Sequence, residues 1–303
     1  LVIGDPIGPP EEFPALLGAF AAMCREYDWR FAFFQARPER LADYRRLGWR
    51  ALHIGEDPIL WAASFTLEGS HRADVRRLVN RVKREGVEAR LFFPGTSSFD
   101  AANDPDEMLE QMKALSLEWL AGKHGGEKGF CMGRFDPARL EAHALAVAWS
   151  PAARRVEAFC TLVPIPARRG WTLDLMRRRS DAVQGATEFL IVKSLAALKV
   201  RGDALLSLSL SALARVPSPG ETPGDGAEDK GAAAAVGAAP APATPAATFG
   251  GKAIEGEATG TEEAARGFLM DVLARYYDVK GLFHWKQKFD PTFEDRYLVF
   301  SDP

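Results

Sequence analysis

Apolar side chains recur at helical spacing in some stretches of the chain and run together in others. Between Ala73 and Arg84, Val75, Leu78, Val79 and Val82 fall on one stripe. Charged residues fill the rest of that circumference, which predicts an amphipathic helix. Helical patterning also covers Glu12–Asp28, Pro105–Ala121 and Thr187–Val200. The third of these four helices has its own start and stop signals. Asp104 can cap, Pro105 suits the first turn, Glu107 can close a capping box, and Gly122 suits the end. Shorter apolar runs predict strands at Phe31–Gln35, Arg90–Phe93, His143–Trp149, Val156–Val163, Trp171–Arg177 and Leu205–Leu210. Strands alternating with helices in this way predict an α/β or mixed α+β sheet fold.

One stretch breaks the pattern. Residues 217–262 are rich in Ala, Pro and Gly and nearly free of large apolar side chains. Such a segment buries too little surface to offset its ordering entropy, so a disordered insertion is predicted. Periodic sequence resumes from Phe268 to Phe300, so the insertion interrupts a folded unit. Loop-closure cost rises slowly with length, and a fold tolerates such an interruption.

Composition narrows the functional classes. A 47% hydrophobic content supports a real core, and a formal charge of −3 argues against a wholly basic nucleic-acid binder. Contact with any nucleic acid or anionic surface would have to use local basic patches. Cys24, Cys131 and Cys160 show neither metal-ligand spacing nor a disulfide pattern, which fits a reducing compartment. No apolar run approaches the ~20 residues of a membrane helix. The chain opens on Leu1 and reads as a piece of a longer protein.

Several residues are candidates for chemistry, each with a plainer alternative. Asp174 sits inside the apolar run Trp171–Met176, where a carboxylate is costly unless paired or placed at a site. In a regular strand it shares a face with Arg178, while Arg177 points the other way. Glu188 opens an apolar helix, where an acid stabilises the N-terminus and can also anchor an ammonium group. Arg134 and Asp136 flank Phe135 and can simply pair with each other. Lys286 and Lys288 interleave with Phe283, Trp285 and Phe289, and Arg296 precedes Tyr297. Such interleaving binds phosphate and stacks on bases, but it also describes an edge strand with solvated lysines. On the amphipathic helix, Arg76, Arg77, Arg81, Lys83 and Arg84 form either a solvated face or a contact for a phosphate-rich partner. The chain has no P-loop, no Gly-x-Ser-x-Gly, no glycine-rich pyrophosphate loop and no His/Cys metal set.

Three segments in order carry a resemblance. They are Glu127-Lys128-Gly129-Phe130-Cys131-Met132-Gly133-Arg134-Phe135-Asp136; Leu173-Asp174-Leu175-Met176-Arg177-Arg178 with Glu188 downstream; and Lys280-Gly281-Leu282 followed by Lys286-Gln287-Lys288-Phe289 and Arg296-Tyr297-Leu298. Together with the opening Gly4-Asp5-Pro6-Ile7-Gly8, they resemble the catalytic domain of the phosphatidylglycerol lysyltransferases, the multiple peptide resistance factor family. The resemblance covers nearly the whole chain outside 217–262.

It implies tandem GNAT-like acyltransferase domains over residues 1–100 and 101–303. The implied reaction moves an aminoacyl group, lysyl foremost, from aminoacyl-tRNA to the headgroup hydroxyl of phosphatidylglycerol, with no cofactor or metal. It casts Asp174, Arg177 and Glu188 as catalytic and Arg134, Asp136, Lys286, Lys288 and Arg296 as substrate-binding. It also implies preceding transmembrane helices and a place at the cytoplasmic face of the bacterial cell membrane. Three departures from the family's usual residues stand near that site: Cys131 for serine, Val183-Gln184 for Pro-Asn, and Leu208-Ser209-Leu210-Ser211 without the usual Gly and Ala-Pro. Two alternatives stay open: a peptidoglycan-precursor aminoacyltransferase, as in related tandem-fold peptidyltransferases, and, motivated by these departures, an inactive lipid- or RNA-binding module.

Overall fold

The computed structural model describes residues 1–95, 105–121, 133–212 and 279–301. The cap residues Asp104 and Gly122, the motif residues Glu127 to Met132 and the expected insertion 217–262 lie outside the described residues. Among the described residues one ten-stranded mixed sheet organises the fold. Its strands are β1 (Val2–Ile3), β2 (Ala32–Ala36), β3 (Arg50–Trp61), β4 (Glu88–Phe92), β5 (Ala144–Ser150), β6 (Arg155–Ile165), β7 (Gly170–Arg178), β8 (Leu205–Ser207), β9 (Ser211–Ala212) and β10 (Thr292–Phe300). The order across the sheet is β1-β2-β10-β3-β8-β7-β6-β5-β4, with β9 paired to β3. β1–β2 and β7–β8 are parallel and the other pairs antiparallel.

β5 shows why its sequence is an unbroken apolar run. Ala144, Ala146 and Ala148 pack into a core with Phe189, Leu190 and Leu195 of helix α5 (Ala186–Arg201) and with Val75, Val79 and Val82 of α3 (Ala73–Arg84). Leu145, Val147 and Trp149 pack on the other face against Met108, Met112 and Leu115 of α4 (Pro105–Ala121). A strand covered on both faces has no polar side to alternate with. A third cluster lies under α1 (Phe13–Glu26) and α2 (Leu41–Arg46), built on Phe13, Leu17, Phe33, Tyr44, Trp49 and Val299.

The sheet is continuous across residue 100. β4 pairs with β5, α3 packs on α5, and the C-terminal β10 lies between β2 and β3. Among the elements that the sequence did not place are β3, α2, β9 and β10. β3 carries Gly55, Glu56, Asp57 and Pro58 mid-strand, which hides its periodicity, and α2 is only six residues long. The Phe283–Phe289 segment is not an edge strand: Val279–Gln287 is a helix, α6, and Lys288 follows it. The expected Leu205–Leu210 strand stops at Ser207.

Candidate functional site

Asp174 is the residue at which β7 leaves register. Thr161 of β6 aligns with Leu175 but Leu162 aligns with Leu173, so Asp174 is an extra residue, a β-bulge. The bulge resets the face. Phe159 and Thr161 are two apart on β6, and Phe159 belongs to the α4 core. The Thr161 hydroxyl donates to Asp174 Oδ2 (3.0 Å) and accepts from the Leu175 N–H (3.1 Å). Asp174 therefore turns towards the face that α4 covers. Arg177 points to that same face, where it is 2% exposed and donates to the hydroxyl and carbonyl of Ser116 on α4. Its guanidinium lies 5.0 Å from the centre of the Trp119 ring. The regular-strand geometry, which put Asp174 with Arg178, is thus replaced by one that puts it with Arg177.

The Gly133–Asp136 segment closes over this bulge. A Cβ on Gly133 would collide with the Asp174 carboxyl group. Phe135 anchors the segment on Phe159, with ring centroids 5.1 Å apart. Asp136 accepts from the Ala138 N–H (3.1 Å) to start a short 3-10 turn and lies 3.6 Å from Arg139. Arg134 is exposed. Two of the three segments that carried the resemblance meet here.

The third segment divides its cations. Lys288 reaches Glu188 Oε1 at 3.6 Å, and the Thr187 hydroxyl donates to Glu188 Oε2 (2.9 Å). Glu188 is buried in the first turn of α5, behind Gly185. Gly185 is needed twice: its φ is +97°, and a Cβ there would strike Leu78 of α3. Lys286 is 2% exposed and donates to the carbonyls of Ser209 (2.7 Å) and Leu210 (3.1 Å). Burial pushes its ammonium down to about 8, against the pull of Asp57. Arg296 is buried too, bonded to Asp57 (2.8 Å) and Glu294 (3.1 Å). Glu294 is also held bidentately by Arg168, at 2.8 and 2.7 Å. Burial holds the Asp57 carboxyl above its ordinary range, opposed by Arg296 and by the Ser207 hydroxyl (2.6 Å). Lys286 and Arg296 thus bind the protein's own groups.

On α3 the stripe Val75, Leu78, Val79 and Val82 is buried as its pattern predicts. Its cations divide as well. Arg76 is spent on the carbonyls of Leu67 (2.6 Å) and Gly69 (3.0 Å). Arg77 lies 3.3 Å from Asp74, and Arg81 donates to Gln184 Oε1 (2.8 Å). Two shallow grooves run along this face. One is lined by Arg77, Leu78, Arg81, Arg84, Glu85 and Gln184; Arg76, Asn80 and Lys83 line the other with Arg77 and Arg84. Among the described residues no group of three or more His, Cys, Asp or Glu side chains is placed to hold a metal.

The family model for the C-terminal region of phosphatidylglycerol lysyltransferase matches residues 1–300. The chain belongs to that family. It is 31% identical over 216 residues to a phosphatidylglycerol lysyltransferase of Bacillus subtilis, covering 71% of this chain and 24% of the relative. It is 27% identical over 307 residues to the lysylphosphatidylglycerol biosynthesis bifunctional protein LysX of Mycobacterium marinum, covering all of this chain and 23% of that one. The chain thus spans about a quarter of these curated relatives. The solved structure of L-PGS from Bacillus licheniformis superposes with a TM-score of 0.68 at 22% identity, covering 99% of this chain and 76% of the other. A C-terminal domain from Agrobacterium fabrum gives 0.71 at 23%, covering 99% and 77%. These two show that the family's mixed α/β fold is shared.

Thr161, Ser116 and Trp119 were not singled out by sequence. Thr161 carried a faint signal, a hydroxyl within the apolar run of β6. Ser116 and Trp119 carried none.

Proposed function

We propose that this chain transfers an aminoacyl group, lysyl foremost, from aminoacyl-tRNA to the headgroup hydroxyl of phosphatidylglycerol. One observation carries the reading: the Gly133–Asp136 and Leu173–Arg178 segments converge on a bulge that turns Asp174 to the face of Arg177.

The reaction is a transesterification. The lipid hydroxyl attacks the ester carbonyl, a new C–O bond forms, the bond to the tRNA ribose breaks, and the hydroxyl proton ends on the ribose oxygen. The ester is already activated, so positioning and charge stabilisation supply most of the acceleration. Asp174 accepts the hydroxyl proton or orients the aminoacyl ammonium. Arg177, fixed by Ser116 and Trp119, offers a rigid cation to the developing oxyanion. Lys288, whose side chain is 40% exposed, meets a phosphate while Glu188 holds it in place. Arg134 and Asp136 border the site on the Gly133 side. Arg77, Arg81, Lys83 and Arg84 line the grooves on α3 beside Gln184, just ahead of α5, and suit phosphates of tRNA or the lipid surface.

Among the described residues no helix is long and apolar enough to cross a membrane. The reading places this domain at the cytoplasmic face of the bacterial membrane, with transmembrane helices elsewhere in the full-length protein. It also divides the chain into tandem acyltransferase-like units near residue 100.

Incubation with phosphatidylglycerol vesicles and total charged tRNA, followed by mass spectrometry of the lipids, tests it. Lysyl-phosphatidylglycerol is the expected product. Vesicle and tRNA binding without any aminoacylated lipid would replace the transferase by a binding module.

A further inference from the structure

A chain of buried and part-buried polar contacts leads from α6 to the Asp174 bulge. The loop between β8 and β9 passes through Ser209 with φ +64°, a left-handed conformation that favours glycine. The carbonyl of that residue and the next are held by the buried Lys286 ammonium. The Ser209 N–H donates to the Ser207 hydroxyl (3.0 Å), which itself donates to Asp57 (2.6 Å). The Ser209 hydroxyl donates to the Leu173 carbonyl, the peptide group immediately before Asp174. The Thr172 hydroxyl lies between them, 3.2 Å from that of Ser207 and 3.1 Å from that of Ser209. The links join groups that are buried or part-buried, with little water to replace a lost partner, so breaking one leaves a polar atom poorly satisfied.

We infer that Lys286 and Ser209 are positioning residues: Lys286 pins the Ser209 turn, and the Ser209 hydroxyl pins the Leu173–Asp174 peptide that forms the bulge. This rests on the proposed transferase reading for its kinetic consequence, but not for its structural one. Lys286 thereby acts on the site without touching substrate, although its sequence motif paired it with Lys288 in phosphate binding. The two lysines of that motif divide the work. One holds the frame and the other holds Glu188.

The test uses S209A, K286M and the double variant, with S209G as a conformational control that fits the left-handed turn. Two readouts are taken. The first is lipid product formation against phosphatidylglycerol and charged tRNA. Both single variants should lower kcat by roughly tenfold to a hundredfold, the scale of small misplacements at a reacting centre, with KM for both substrates nearly unchanged. The double variant should be little worse than the worse single one. S209G should match S209A, since the hydroxyl and not the turn is the link. The second readout needs no activity: amide hydrogen exchange at Leu175, whose N–H is held by the Thr161 hydroxyl next to the bulge. It should quicken in S209A and K286M by about tenfold or more relative to the Met176 amide. If K286M does not fold, S209A alone carries the test.

Raised KM with unchanged kcat in K286M would return Lys286 to phosphate binding and overturn the inference. So would unchanged Leu175 exchange in S209A. Wild type that yields no aminoacyl lipid would sink the transferase reading, and Leu175 exchange would still decide the positioning role.

Discussion

Gly133 lies so close to the Asp174 carboxyl group that no methyl group fits between them. The contact joins two sequence motifs at one point, and it is steric in character, since Gly133 does not adopt the left-handed conformation that would independently require glycine. Gly133→Ala should therefore displace Asp174 rather than strain the backbone. Asp174 has little freedom to retreat, because Thr161 holds it from behind. Transfer should fall by about tenfold or more, on the scale of misplaced reacting groups. The melting temperature should change little. A variant with full activity would show that the carboxylate tolerates the displacement.

Glu188 and Lys288 should behave as a unit. If Glu188 serves to aim Lys288, Glu188→Gln and Lys288→Met each slow transfer, and the double variant is no slower than the worse single one. Additive losses would show that Glu188 has a separate task, such as binding the aminoacyl ammonium.

The cations of α3 divide into two predicted classes. Arg77, Arg81 and Arg84 changed together to Ala should weaken binding to anionic vesicles or tRNA and flatten its salt dependence, because they line the grooves. Arg76→Ala should instead lower the melting temperature, since its guanidinium caps the carbonyls of Leu67 and Gly69. An unchanged salt slope for both ligands in the triple variant would reduce that face to a solvated one.

Lys286 gives a pH signature. Its folded-state value, about 8, lies below the ordinary 10.5. Below about 8 both folded and unfolded chains carry the charge, and its burial penalty is fully present. As pH rises from there towards the unfolded value, the folded state releases its proton first, so stability should rise. Unfolding free energy of wild type minus that of Lys286→Met, followed from pH 7.5 to 10, should climb. A flat or falling difference would mean that Asp57 and the carbonyls keep the ammonium fully charged.

Much of the frame was legible because periodicity reports burial. Residues 73–84 form the expected helix with the expected four buried side chains, and the unbroken run of β5 follows from its two covered faces. The site was legible as a set of segments but not as a geometry. Strict alternation assigns Asp174 to the side of Arg178, and a single extra residue in β7 reverses it. Nothing in the residue types at 173–175 announces that bulge, which depends on the register of β6 beside it. The same limit applied to Lys286 and Lys288. Two residues apart in the same motif, they differ only in what the fold brings to them, carbonyls in one case and a carboxylate in the other. The Leu208–Ser211 segment was marked as lacking the family's usual Gly and Ala-Pro, and within it Ser209 has a positive φ, a conformation that glycine suits.

The most direct measurement compares Asp174→Asn with wild type for both lipid product and melting temperature. Asn keeps the shape of the side chain and its contact with Thr161 while removing the charge. If Asp174 takes the hydroxyl proton or orients the aminoacyl ammonium, aminoacyl-phosphatidylglycerol formation should fall by roughly a hundredfold or more. The melting temperature should stay close to that of wild type. Full product formation with a lowered melting temperature would contradict the account, making Asp174 a structural carboxylate and removing the bulge from the chemistry.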